Sequence, residues 1–340
     1  MARIGIIANP QSGTDIRRLV SEADTADSRQ KVNVVRRVLK GIAAIGVDEV
    51  FFMPDRLAMG ARACDGLDLP FRASLLDMPV RSDPEDSLEA ARRMRDSGVG
   101  VLVVLGGDGT HRVVAKACGT IPLVGISTGT NNVWPEQVEG TLAGMAAALV
   151  ARGLVAADEV AHATRRLEIE RDGSLDEIAL VDVAVYDGAF RAARAVWEVE
   201  RIKEIVLADV ASARLGLSAI GAALPRPEGV DGAGLQVRIG PGGGSVLAPL
   251  APGLVCRVPI RDYQWIRVGQ TIAVEQPPCL LALDGERETR VDPADKVVIR
   301  LVSNGPRRVD VRRTLEIAAQ DGRFTSIAAE EGVRLAKRSL

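Results

Sequence analysis

Histidine is nearly missing from this sequence: only His111 and His162 occur in 340 residues. A Ser-His-Asp triad or a multi-histidine metal centre is therefore close to excluded. Cysteine is sparse as well, and Cys64, Cys118, Cys256 and Cys279 stand too far apart for a CxxC redox or metal spacing. Their mostly apolar surroundings imply buried, reduced thiols and a cytoplasmic setting. An excess of one charge is absent too. Lys plus Arg number 43 against 45 Asp plus Glu, a net charge of −2, which removes the electrostatic case for nucleic acid or an acidic membrane as partner. No apolar run reaches membrane-spanning length, and the residues from Met1 to Pro10 enter a strand directly instead of reading as a signal peptide. Neither GxxxxGK[ST] nor a strand followed by GxGxxG is found, so P-loop transfer and hydride transfer on a Rossmann fingerprint lose their support. His111-Arg112-Val113 lacks the aspartate and downstream asparagine of a protein-kinase catalytic loop.

What is present centres on Val99 to Asn132. Val99 to Leu105 is an almost unbroken apolar run, the pattern of a parallel strand buried on both faces. It stops at Gly106-Gly107-Asp108-Gly109-Thr110, where paired glycines leave room for backbone amides to meet phosphate oxygens and Asp108 stands at the carboxyl edge of the sheet. Thr110 is placed to cap a short helix that Gly119 ends. Ile121 to Ile126 reads as the next strand, followed by the polar loop Ser127-Thr128-Gly129-Thr130-Asn131-Asn132. Ile4 to Ala8 is a third strand of this kind, opening into Asn9-Pro10-Gln11-Ser12-Gly13. Loops at the carboxyl ends of such strands face the ligand crevice of an open α/β sheet, so the three should share a site.

Helical spacing over residues 30–45, a strand at Val50 to Met53 and a helix from Ser87 to Arg95 capped by Ser87 complete a β-α-β-α-β-α-β order up to about residue 135. That order predicts a doubly wound parallel sheet. From about residue 160 short apolar runs alternate with turn residues. Strands are expected at Leu167 to Glu170, Ile178 to Val185, Leu235 to Ile239, Leu254 to Ile260, Thr271 to Val274, Cys279 to Leu283 and Val297 to Leu301, with one helical insertion from Phe190 to about Leu224. The expected organisation is an α/β nucleotide-binding domain over 1–135 and a β-sandwich-like substrate domain over 136–325, with a C-terminal helix at 326–340 packing back on the first.

Gly106 to Thr110 matches the GGDGT signature of the NAD kinase and diacylglycerol/sphingosine kinase superfamily, and Asn9 to Gly13 resembles the NPxSG loop of its lipid-kinase branch. Gly129-Thr130-Asn131-Asn132 is similar to that branch's GTGND segment, and Ala282 to Glu286 resembles the DG[EQ] motif of the C-terminal domain. Gly125 to Asn132 looks most like the NAD-kinase-like protein X family of acetoin catabolism. The resemblance implies ATP and Mg²⁺ in the cleft between two domains, with NAD or a related nucleotide as acceptor and Asp108 taking the acceptor proton or positioning Mg²⁺. It implies nucleotide contacts from Asn9, Pro10, Ser12, Gly13, Gly106, Gly107, Gly109, Thr110, Thr128, Gly129, Thr130, Asn131 and Asn132. Acceptor contacts would come from Asp182, Ser218, Asp284, Gly285 and Glu286. Val181 stands where NAD kinases carry an asparagine before the acid. A homodimer or tetramer follows from the resemblance alone. Two other functions fit the same motifs: a lipid or sphingoid-base kinase, and a nucleotide-binding regulator that has lost the chemistry.

Overall fold

Seven strands among the described residues build the first sheet. The computed structural model describes residues 1–12, 28–129, 131–187, 201–210, 215–275, 277–285 and 287–325. Its first half runs β1 (Arg3–Ala8), α1 (Ser28–Ile45), β2 (Glu49–Phe52), α2 (Met59–Cys64), β3 (Arg72–Leu75), α3 (Pro84–Asp96), β4 (Val101–Gly106), α4 (Asp108–Ala115), β5 (Leu123–Ser127), α5 (Gly140–Ala151), α6 (Ala157–Val160) and β6 (Ala161–Ala163). The second half runs β7 (Arg166–Arg171), β8 (Ser174–Ala179), β9 (Asp182–Asp187), β10 (Ile202–Leu207), α7 (Ser218–Ala222), β11 (Gly234–Ile239), β12 (Ser245–Ala251), β13 (Leu254–Ile266), β14 (Thr271–Ala273), β15 (Cys279–Leu283), β16 (Arg287–Val291), β17 (Val297–Val302), β18 (Arg307–Val309) and α8 (Val311–Gln320).

The first sheet has the order β3-β2-β1-β4-β5-β18-β6, parallel except for β6. Residues of α1, α2, α5 and α8 bury one face, and those of α3 and α4 the other, which is the expected doubly wound arrangement. The second core lies between a seven-stranded antiparallel sheet, β12-β13-β11-β10-β9-β15-β16, and a four-stranded one, β14-β17-β7-β8. The sandwich-like second domain is thus borne out.

The chain does not divide at residues 135 and 325. Helix α5 is apolar on all sides and packs between α1 and α8, while β18 inserts between β5 and β6. The β-rich domain is therefore inserted into the first one. Of the expected helix from Phe190 to about Leu224, residues 190–200 and 211–214 lie outside the described residues; the described part holds β10, whose backbone is paired on both sides by β9 and β11, and the short helix α7. Pairing outweighs the local spacing there. The strand expected from Ile178 to Val185 is broken at Leu180 and Val181, whose amides donate to the Asp284 carboxylate. Helix α3 begins earlier than expected because Asp83, not Ser87, caps it by accepting from the Glu85 amide at 2.9 Å. The C-terminal helix expected at 326–340 lies outside the described residues.

All four cysteines are free; Cys118 and Cys279 are buried, with burial pushing both thiols up to about 11, whereas Cys64 and Cys256 are half-buried. Among the described residues no helix is long and apolar enough to cross a membrane.

Candidate active site

Strand order reverses between β1 and β4, and a reversal of this kind opens a crevice where the following loops diverge. The loops after β1, β4 and β5 meet there. Asn9 Nδ2 donates to Thr110 Oγ1 at 2.9 Å, joining the first loop to the second. The Thr128 amide reaches the Gly106 carbonyl at 3.4 Å, and Asn132 Oδ1 accepts from the Asp108 amide at 3.3 Å, joining the third.

Asp108 opens α4 and is buried. Its carboxylate accepts from the Val133 amide at 3.1 and 3.0 Å and from the Trp134 amide at 2.7 Å, so it is held in one orientation by backbone that cannot rotate away. Thr110 does not cap α4: Gly107 holds the N-cap position and the Thr110 side chain folds back onto Gly106. A Cβ on Gly106 would lie 2.6 Å from Thr110 Cβ, which is a packing reason for that glycine in addition to ligand access.

The β1 loop is more self-contained than its sequence implies. Asn9 Oδ1 accepts from the Gln11 amide at 2.9 Å, and the Asn9 carbonyl accepts from the Ser12 hydroxyl at 2.8 Å. Lys31, 2% exposed, donates to the carbonyls of Pro10 (2.7 Å), Asn9 (3.4 Å) and Ser12. A cation thus fixes the loop from behind. In the β5 loop, Asn132 Nδ2 donates to Ser127 Oγ at 2.8 Å and Ser127 Oγ to the Gly129 carbonyl at 2.7 Å, while Thr128 Oγ1 is buried without a partner among the described residues. Gly13, Thr130 and Glu286 lie outside the described residues.

Two cavities flank Val133. A small one, about 40 Å³, brings together Asp108, Asn131, Asp182 and Gly285. A larger one, about 280 Å³, is bordered by Trp134, Arg165, Val181, Ser218 and Arg308. Ser218 is 2% exposed and its hydroxyl has no partner among the described residues. Trp134 is wedged in place, with its ring 5.0 Å from the His111 ring and the Arg308 guanidinium 5.8 Å from its centroid. Gly125 makes room for that stack, since a Cβ there would sit 2.9 Å from His111 Nε2. Complete burial holds His111 down at about 4, so its ring is neutral at pH 7.

Asp284, expected to contact substrate, borders the small cavity and turns its side chain to internal partners. Asp284 and Gly285 form the β15–β16 turn, with φ of 51° and 70°, and the Asp284 side chain is 0% exposed. Its carboxylate collects the amides of Leu180, Val181 and Asp182 at 2.8–3.3 Å and faces Arg112 Nε at 3.9 Å. Burial pushes this carboxyl up against the pull of Arg112 and of those amides. Neither Arg112 nor Lys31 was singled out in the sequence. Arg112 could have been found four residues after Asp108 on one helix face, and Lys31 as the charged member of the apolar stripe Lys31, Val35, Val38 and Ile42.

Among the described residues no three His, Cys, Asp or Glu side chains cluster tightly enough to hold a metal. The donor set suits a hard cation that keeps most of its ligands from phosphate and water, with one or two carboxylates from the protein.

A parallel α/β domain with a ligand crevice at its switch point, joined to an antiparallel domain, is the class this architecture defines. Residues 4–154 match the family model described as the ATP-NAD kinase N-terminal domain, and residues 165–304 that of the Acetoin catabolism protein X C-terminal domain. Over 331 residues the chain is 38% identical to Acetoin catabolism protein X of Cupriavidus necator, covering 93% of this chain and 92% of that protein. The chain belongs to the acetoin catabolism protein X family. A looser likeness joins it to yeast NADH kinase solved with NADH, at 14% identity and a TM-score of 0.48 over 99% of this chain and 90% of that one.

Proposed function

We propose that this protein transfers a phosphoryl group from ATP to an alcohol, with the 2′-hydroxyl of NAD or of a related nucleotide as acceptor. The observation that carries this reading is the fixed Asp108 carboxylate at the β1/β4 switch point, beside a cavity it shares with Asp182. Phosphoryl transfer asks a protein for positioning and charge neutralisation more than for covalent chemistry. The loops after β1 and β5 cradle the donor phosphates, and Asn131 of the second borders the small cavity. Asp108 orients the attacking hydroxyl and takes its proton. Mg²⁺, held by the phosphates with Asp108 or Asp182, would neutralise charge on the transferring group. The larger cavity receives the remainder of the acceptor, where Ser218 offers a hydroxyl and Val181 offers none of the polar contact an asparagine gives.

The test is NADP⁺ formation from NAD⁺ and MgATP, read with an NADP-specific dehydrogenase, for wild type and Asp108→Asn. Loss of a general base lowers turnover by about 10²–10⁴. The expected result is that loss in the variant with ATP binding retained by calorimetry. Full turnover in the variant overturns the role of Asp108, and nucleotide binding without any turnover in wild type favours a regulator.

A further inference from the structure

Helix α4 and its C-cap residue carry three side chains spaced by four residues, Asp108, Arg112 and Lys116, along one face. Each meets chain from beyond the first strands: Asp108 takes the amides of Val133 and Trp134, Arg112 Nη1 donates to the Leu283 carbonyl at 3.0 Å, and Lys116 pairs with Glu177. The Arg112 and Asp284 side chains are 5% and 0% exposed, so their charges face each other out of water. Asp284 spends the rest of its capacity on the amides of Leu180, Val181 and Asp182, the break between β8 and β9. Asp182 leaves that break to border the same small cavity as Asp108. A continuous chain of polar contacts therefore runs from Arg112 through Asp284 to the backbone of Asp182, beginning one helical turn from Asp108.

We infer that Arg112 is a positioning residue that holds Asp182 opposite Asp108 across the domain boundary, and so sets the distance between donor and acceptor without touching either. Its catalytic consequence rests on the phosphotransfer reading, but the placement of Asp182 does not. The contact between Arg112 and Asp284 is electrostatic: Arg112 Nε faces Asp284 Oδ2 at 3.9 Å, and the hydrogen bond of Arg112 goes to the Leu283 carbonyl. Both partners are buried, so removing one strands the other at high cost, and the arrangement is all or none. Lys116, 31% exposed, pairs with Glu177 and not with Asp284, which makes it the comparison for the Arg112–Asp284 contact.

The experiment compares wild type, Arg112→Lys, the double variant Arg112→Gln/Asp284→Asn, and Lys116→Gln. The double variant removes both buried charges, so it strands neither and tests placement even where Arg112→Gln alone fails to fold. Amide hydrogen exchange of the ligand-free proteins, read by mass spectrometry over the 178–184 segment, is the first measurement. The double variant should exchange there at least about tenfold faster, with the β1 and β4 segments unchanged, Arg112→Lys should fall between, and Lys116→Gln should match wild type. Unchanged exchange at 178–184 in the double variant overturns the inference whatever the activity, as does an increase spread evenly over the molecule. The second measurement is kcat and KM for MgATP and NAD⁺. A displacement on the order of 1 Å costs about a hundredfold in rate, so kcat should fall by that order in the double variant with the KM for ATP within about twofold. Local exchange that rises while kcat stays level overturns positioning and leaves a structural tie. Absence of turnover in wild type would instead count against the phosphotransfer reading, with the exchange result still deciding the role of Arg112.

Discussion

His111 shows how a site motif can be constrained from beneath. It follows Thr110 directly, yet its ring points into the core, donates from Nδ1 to the Gly107 carbonyl at 2.8 Å and lies tilted against Trp134, whose amide holds Asp108. Its folded pKa of about 4 lies below the ordinary 6.5, so between these values the unfolded chain binds a proton that the folded chain refuses. The stability tied to this ring is fully present above about pH 6.5 and is lost as pH falls toward 4. Urea denaturation at pH 7 and pH 5 should show wild type losing about 2 kcal/mol more than His111→Phe over that step. Equal losses in the two proteins would remove the assignment.

Elements explain why some of this architecture could be read in advance and some could not. Strands β4 and β15 were legible because an apolar run ended by glycine or Asp-Gly has few other readings. Helix α2 and strand β3 were missed: the strand is an exposed edge without alternation, and the helix has a single turn or so of weak pattern. The loop residues of the candidate site could be named from their order along the chain, whereas Arg112 could not be matched to Leu283, 171 residues away, before the fold was known. The crossing of α1 and α5 was equally hidden, since glycines at 41 and 144 look like helix breakers. In the structure they permit backbone contact: a Cβ on Gly144 would lie 2.1 Å from the Val38 carbonyl oxygen, and one on Gly41 2.1 Å from that of Thr141. Gly144→Ala must push the helices apart, and it should lower unfolding free energy by about 3 kcal/mol. A urea midpoint equal to wild type would show that the pair can yield.

At the scale of the molecule the β-rich domain is an insertion whose two connections lie side by side, with Arg307 opposite Ala163 in adjacent strands. The first core needs chain from both sides of that insertion, because Val309, Val311 and Ala318 pack with α1 and α5. A fragment ending at residue 163 leaves β5 without its neighbour and α5 without α8. It should show no cooperative unfolding by circular dichroism, whereas the full chain does; a cooperative transition in the fragment would show that β18 and α8 are dispensable.

The position of β18 also orders events during synthesis. Nearly the whole first domain leaves the ribosome before the β-rich domain begins, but the strand that separates β5 from β6 emerges only after that domain. The nascent chain must hold an incomplete sheet, with the side of β5 at Leu123 waiting for its partner, until the inserted domain has been made. The crevice beside Asp108 is therefore finished only when the domain facing it already exists, and of the two domains the one begun earlier is completed later.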